Sequence, residues 1–309
     1  CSGSGPNWGA TSRHELDPTI SDSIDPPGTW PTGRQLAEAV AADFEGFFFP
    51  WTPFKVPVVF TAAAYPGVKA DKAGTRIVLP RDMGDVSIDE PTKLFMHLLI
   101  LGHEIGHLVH KHLHAANAQS VEDYLSLELW ADWYGAKVMA TLMTYGPRTT
   151  AIGHRLLPSR NMMDALDEVG AAVGLLVKSV YHPTSKRYPP PLERAGLTVC
   201  GLLSFLRKHL GNEQFDSRLY LHISLKIFRA PYVHELLLLA PESARFDDEP
   251  LRRAAEWHRQ IQGDADAITP GFKPDVAEYL HTTFNQTADE IRASREERLE
   301  ELREAGFDV

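Results

Sequence analysis

Apolar positions recur along this chain at helical spacing in some stretches and in short unbroken runs in others. Beyond Thr32, the residues Leu36, Val40 and Phe44 fall four apart, as a helix with one buried stripe requires. Two β-type runs follow, Val56-Pro-Val-Val-Phe60 and Thr75-Arg-Ile-Val-Leu79, separated by the turn-like Tyr65-Pro-Gly and Asp71-Lys-Ala-Gly. They predict a small sheet, and Pro57 confines the first run to a strand start or an edge. From Pro91 to about His114 the chain has no further proline. Leu94, Phe95, Leu98, Leu99, Leu101, Ile105 and Leu108 mark this stretch as a largely buried helix. A second long helix is predicted from Ser120 or Val121 to about Met143, with Gly146-Pro147 as its stop. Further helices are expected over 160–180, 192–210, 215–228, 250–261 and 288–305, the last a solvated helix rich in Glu and Arg. Residues 1–32, rich in Gly, Ser, Pro and Asp without a period, read as a flexible tether. The expected fold class is therefore α+β and mostly helical. A small N-terminal sheet packs on a helix pair within a 33–210 domain that carries the chemistry, and a helical C-terminal subdomain covers 211–309.

Composition narrows the partners. A chain of 309 residues with 43% hydrophobic side chains can build a substantial core. A formal charge of -10 argues against nonspecific nucleic-acid binding, which needs a clustered basic surface, and favours a protein or peptide partner. The longest apolar stretches are too short to span a bilayer, so no transmembrane segment is expected. The two cysteines indicate no disulfide framework, and Cys200 lies in an apolar stretch that predicts a buried thiol. The start Cys1-Ser-Gly-Ser-Gly has two readings, a truncation scar or the mature start of a bacterial lipoprotein. The expected location is cytoplasmic, with an envelope lipoprotein anchored at Cys1 as the alternative.

The chemistry concentrates in the first long helix. His103-Glu-Ile-Gly-His107 sets two imidazoles about one turn apart, so both project from one face toward a single cation. Glu104 lies beside the first ligand, where its carboxylate can take a proton from a water at the metal without being a ligand. Catalytic zinc normally uses three protein ligands and keeps a fourth position open, so a third donor is required from another segment. Glu128 lies 21 positions after His107, enough for an antiparallel helix to return past the first. Asp132, four residues further on, shares its face and can accept a hydrogen bond from the distal N–H of a ligand histidine. Ala131 and Gly135 would let the two helices approach closely. A third histidine six positions after His107, as metzincins use, is missing, because that position is Leu113. His110, His112 and His114 offer an extra metal site as one reading. The other is a partly exposed helix end where imidazolium suits the dipole.

Taken together, His103-Glu104-x-x-His107 and Glu128-x-x-Ala131-Asp132 resemble the gluzincin zinc peptidases. The Ala-Asp after the glutamate is similar to soluble relatives of the CAAX-prenyl-protease and HtpX-like peptidases, and to ImmA/IrrE-type and Lit-type phage-exclusion peptidases. The likeness covers residues 93–140 and extends weakly to the Pro-rich segment that runs from Tyr188 to Arg194. It implies a Zn2+ cofactor held by His103, His107 and Glu128, Glu104 as general base, and peptide-bond hydrolysis in a specific protein substrate. Because a segment after the ligand helices often completes such sites, it also singles out His182 and Arg194 as catalytic candidates for stabilising the oxyanion, ahead of Tyr134, Tyr181 and Tyr188. The strand before the ligand helix, Thr75 to Leu79, is implied as the edge that pairs with substrate. Missing disulfide bracing favours regulatory over digestive proteolysis. A non-enzymatic alternative is a zinc-binding sensor or interaction protein on the same fold.

Overall fold

The computed structural model describes residues 29–72, 74–115, 120–157, 162–181, 188–211, 215–239, 249–262, 271–280, 300, 303 and 304. The chain begins with α1 (Gly33–Gly46), then β1 (Val58–Thr61), β2 (Gly67–Asp71), β3 (Gly74–Pro80) and α2 (Arg81–Asp85). The central helices are α3 (Pro91–Val109), α4 (His112–Ala115) and α5 (Val121–Tyr145). They are followed by α6 (Pro147–Leu156), α7 (Met162–Ser179), α8 (Pro191–Leu210) and α9 (Ser217–Phe228), and the order closes with α10 (Pro231–Leu239), α11 (Glu249–Gln262) and α12 (Pro274–Leu280). The fold is a mostly helical α+β arrangement, as the apolar spacing predicts. Among the described residues no helix is long and apolar enough to cross a membrane.

Local chemistry explains where the principal helices begin. Thr32 starts α1 through a capping box: its hydroxyl accepts from Gln35 N–H at 3.3 Å, and Gln35 Oε1 accepts from Thr32 N–H at 2.8 Å. Ser120 and Asp123 do the same for α5. Pro91 occupies the first turn of α3, where a missing N–H costs nothing. Gly146-Pro147 does stop α5, yet Pro147 also opens α6, which the spacing did not predict. Asp43 of α1 caps that helix from outside, accepting at 2.8 Å from both the N–H and the hydroxyl of Thr149.

The sheet has the order β1-β3-β2, with β1 parallel and β2 antiparallel to β3. Here two expectations change. A third strand, β2, fills the short stretch between the two segments read as turns and takes in Gly67 and Asp71 from them, because its ladder to β3 extends a run too short to stand out in the sequence. Consequently Thr75 to Leu79 lies in the central strand, hydrogen-bonded on both sides, and cannot accept a substrate strand. The edge beside the cleft is β2.

Helix α5 runs through the centre between α3 and α8, and nearly every residue from Ser126 to Leu142 is buried. Small residues set its distance from α3. A Cβ on Gly102 would lie 2.5 Å from Gly135 O, and one on Gly135 would lie 2.6 Å from His103 N. On the opposite side, Gly201 of α8 approaches so near that a Cβ there would lie 2.1 Å from Trp133 O. The expected close approach at Ala131 and Gly135 is thus present. One contiguous hydrophobic cluster runs from Leu36 to Leu280 and draws on both the 33–210 and 211–309 segments. Most of the predicted 288–305 helix and most of the 1–32 tether lie outside the described residues.

Candidate metal centre

Packing α3 against α5 brings the sequence-predicted ligands together. His103 Nε2 and His107 Nε2 are 3.0 Å apart. Glu128 reaches across from α5, with Oε2 3.4 Å from His103 Nε2 and Oε1 3.5 Å from His107 Nε2. With metal–ligand bonds of about 2.0–2.2 Å, a tetrahedral zinc places its donors roughly 3.3 Å from one another. Donor type and spacing both fit.

Behind the ligands lies a buried chain of support. The His103 Nδ1–H donates to Asp132 Oδ1 at 2.9 Å, which fixes the tautomer and leaves Nε2 free for a metal. Arg194 from α8 holds Asp132 in a two-pronged grip, Nε to Oδ2 at 2.7 Å and Nη2 to Oδ1 at 2.9 Å. Its guanidinium carbon stacks 3.9 Å from the centre of the Tyr181 ring, whose hydroxyl lies 3.5 Å from Asp132 Oδ1. Arg194 is therefore committed through two N–H groups to the carboxylate that orients His103. Tyr124, four residues before Glu128, lines the same cleft as the ligands, its ring centre 6.1 Å from that of Tyr188. The i, i+4 spacing puts Tyr124 on the same face of α5 as Glu128, a signal present in the sequence.

Charges respond to this crowding. Burial alone would lower the His103 pKa, but Asp132 and Glu128 outweigh it and push the pKa up to about 10. Burial would raise Glu128, yet His107, His103 and Arg194 hold it well below the usual carboxylate range. Glu104 moves the other way. Burial pushes it up to about 7, with Glu128 and Asp132 adding to the rise against His103 and Arg194. It is 5% exposed, and its Oε2 has no hydrogen-bond partner. A carboxylate oxygen desolvated without a partner is costly and marks a place where another group is meant to sit.

Glu104 and the three ligands line a cleft with about 1170 Å³ of free space, part of it open to solvent. One rim is formed by Tyr65 to Val68, leading into β2, and another by Tyr124 and Tyr188. Among the oxyanion candidates, Tyr188 is 39% exposed at the rim and Tyr181 is buried against Asp132. Tyr134 is buried with its ring against His110, and His182 lies outside the described residues.

The histidines beyond the motif correct an expectation. Lys111 adopts a positive φ of 55° and separates α3 from α4. His110 and His112 are buried rather than displayed on an exposed end, at 1% and 5% exposure. They meet His258 of α11, 146 positions away from His112, which no local pattern could reveal. The side chain of His114 lies outside the described residues. Among the described residues two groups have metal-ligand geometry, His103/His107/Glu128 and His110/His112/His258. No family model, curated protein or solved structure matches this chain.

Proposed function

We propose that this chain is a zinc-dependent endopeptidase of the gluzincin type, acting on a specific protein substrate. The observation that carries the reading is the convergence of two imidazoles and a carboxylate beside a buried, unpartnered Glu104 oxygen in an open cleft. A zinc ion held by His103, His107 and Glu128 would supply Lewis-acid activation of the scissile carbonyl and of a water nucleophile.

The remaining steps belong to side chains. Glu104 accepts the proton of the attacking water and delivers it to the departing amine. Its place beside His103, lining the same cleft as the three ligands, puts the carboxylate where both transfers occur. Asp132 orients His103, and we assign Arg194 to positioning Asp132 rather than to the oxyanion. Tyr188, at the cleft rim, is the donor best exposed to meet the developing oxyanion. The edge strand β2 offers backbone groups to an extended peptide, a mode that needs little side-chain recognition.

The test compares protein N-termini in cells expressing the native chain or its Glu104→Gln variant. New N-termini in the native sample alone are expected, with turnover in the variant down about 10²–10⁴-fold and zinc retained. Identical N-terminal profiles, with both proteins zinc-loaded, would favour the sensor alternative and contradict hydrolysis.

A further inference from the structure

The buried group of His110, His112 and His258 has the composition of a second metal site. Its ring geometry and proton count point elsewhere. His112 Nδ1 lies 2.7 Å from His107 Nδ1, and His112 Nε2 lies 2.7 Å from His258 Nε2. The contrast with the metal pair is informative. His103 and His107 have nitrogens 3.0 Å apart and ring centres 4.7 Å apart. In His112 and His258 the nitrogens are closer yet the ring centres are further apart, at 5.0 Å, with the rings inclined by only 11°. Nitrogens that converge on a shared ion meet obliquely. Nitrogens that share a proton meet head to head, both near the line between the ring centres whatever the angle between the ring planes, and the second pair does this. The 107–112 pair, with ring centres 4.8 Å apart, is also nearer to head-to-head than the metal pair.

Two facing ring nitrogens share one proton, and this fixes the direction of the chain. A neutral His107 that gives Nε2 to the metal carries its proton on Nδ1. It therefore donates to His112 Nδ1, which must be an acceptor. The proton of neutral His112 is then on Nε2 and is donated to His258 Nε2. A protonated Nε2 on His112 cannot ligate a second ion while the first is held. His110 is closed by bonds of its own: Nδ1–H donates to Gly106 O at 2.8 Å, and Nε2 accepts from the Trp130 indole N–H at 3.4 Å.

We infer that His112 and His258 form a directional hydrogen-bond relay that fixes the tautomer and orientation of the metal ligand His107 and ties it to helix α11. Both are positioning residues. The inference rests on the zinc reading given above and extends it to the C-terminal part of the chain. Metal-ligating histidines are commonly held at their distal N–H by a carboxylate, a carbonyl or a water, and here the holder is a second imidazole held by a third.

Zinc affinity of the full chain, measured by competition with a chromophoric chelator, tests this alongside circular dichroism and thermal melts that confirm folding. The native chain should bind one zinc. His112→Phe should weaken binding about 10–100-fold, the range seen for lost outer-shell partners. His258→Leu should weaken it measurably. His258→Gln, whose amide oxygen can accept from His112 Nε2–H, should recover most of that loss. Nitrogen-detected NMR of the zinc-loaded native protein should show His107 protonated at Nδ1 and His112 at Nε2, whether or not the variants fold. Unchanged zinc affinity in folded His112→Phe and His258→Leu, the reverse tautomers, or a second zinc lost with His258 would overturn the relay and leave the first site standing. Zinc binding by the native chain no tighter than by His103→Ala would overturn both.

Discussion

Burial acts on single ionisable side chains here in opposite senses, and each sense has its own consequence. At Glu104 it raises a carboxylate toward neutrality beside His103, His107 and Glu128. At Lys137 on α5 it lowers an ammonium to about 7, although the charge lies 4.3 Å over the Trp133 ring. An unfolded lysine keeps its proton up to about 10.5. Between about pH 7 and 10.5 unfolding therefore takes up a proton, and the stability contributed by this site rises with pH across that window. Lys137→Met should be more stable than the native chain at pH 7, with the gap closing toward pH 10 in urea titrations; a gap independent of pH would contradict the buried-lysine account. Arg194 separates support from catalysis. If it holds Asp132, Arg194→Leu strips a buried carboxylate of its two-pronged cationic partner, leaving only His103 and Tyr181, and costs roughly 3–5 kcal/mol of stability. An oxyanion role predicts instead a loss of turnover at unchanged stability.

Between elements, the distance from α3 to α5 decides whether Glu128 can reach the two histidines. Gly102, Gly106, Ala131 and Gly135 keep that distance short. Gly135→Ala drives a methyl into the backbone of α3, so it should destabilise the fold by about 1–3 kcal/mol in denaturant unfolding and weaken zinc binding with it. A variant of native stability and affinity would mean that the helices have room to spare. This helix pair was the most legible part of the sequence, because every signal in it is local: the i, i+4 histidines, the Ser120 cap, the Glu128 and Asp132 face, and small residues at the crossing. Less legible features depend on partners far along the chain. Strand β2 exists because β3 supplies its ladder. His112 turns inward because Lys111 takes a left-handed conformation, and His258 joins it from an amphipathic helix whose sequence gives no hint of a histidine partner.

Across the whole molecule, the end of α1 and the segment leading into α12 brace the same core. Phe272 packs 4.3 Å from Phe48 between ring centres, and Lys273 N–H donates to Phe47 O at 2.8 Å, so the segment leading into α12 closes over the end of α1. Helix α11 reaches α5 and α4 and brings His258 to His112, which faces His107. A zinc ion bound only by the folded chain would stabilise this arrangement by about 4 kcal/mol when free zinc is a thousandfold above its dissociation constant. The central claim is the ion itself and its three ligands. X-ray absorption at the zinc edge, on protein purified without a histidine tag and assayed for metal content, tests it most directly. The account predicts one zinc per chain with two imidazoles and oxygen donors at about 2.0–2.2 Å. Negligible zinc after remetallation, or a shell of three or more imidazoles, would contradict it.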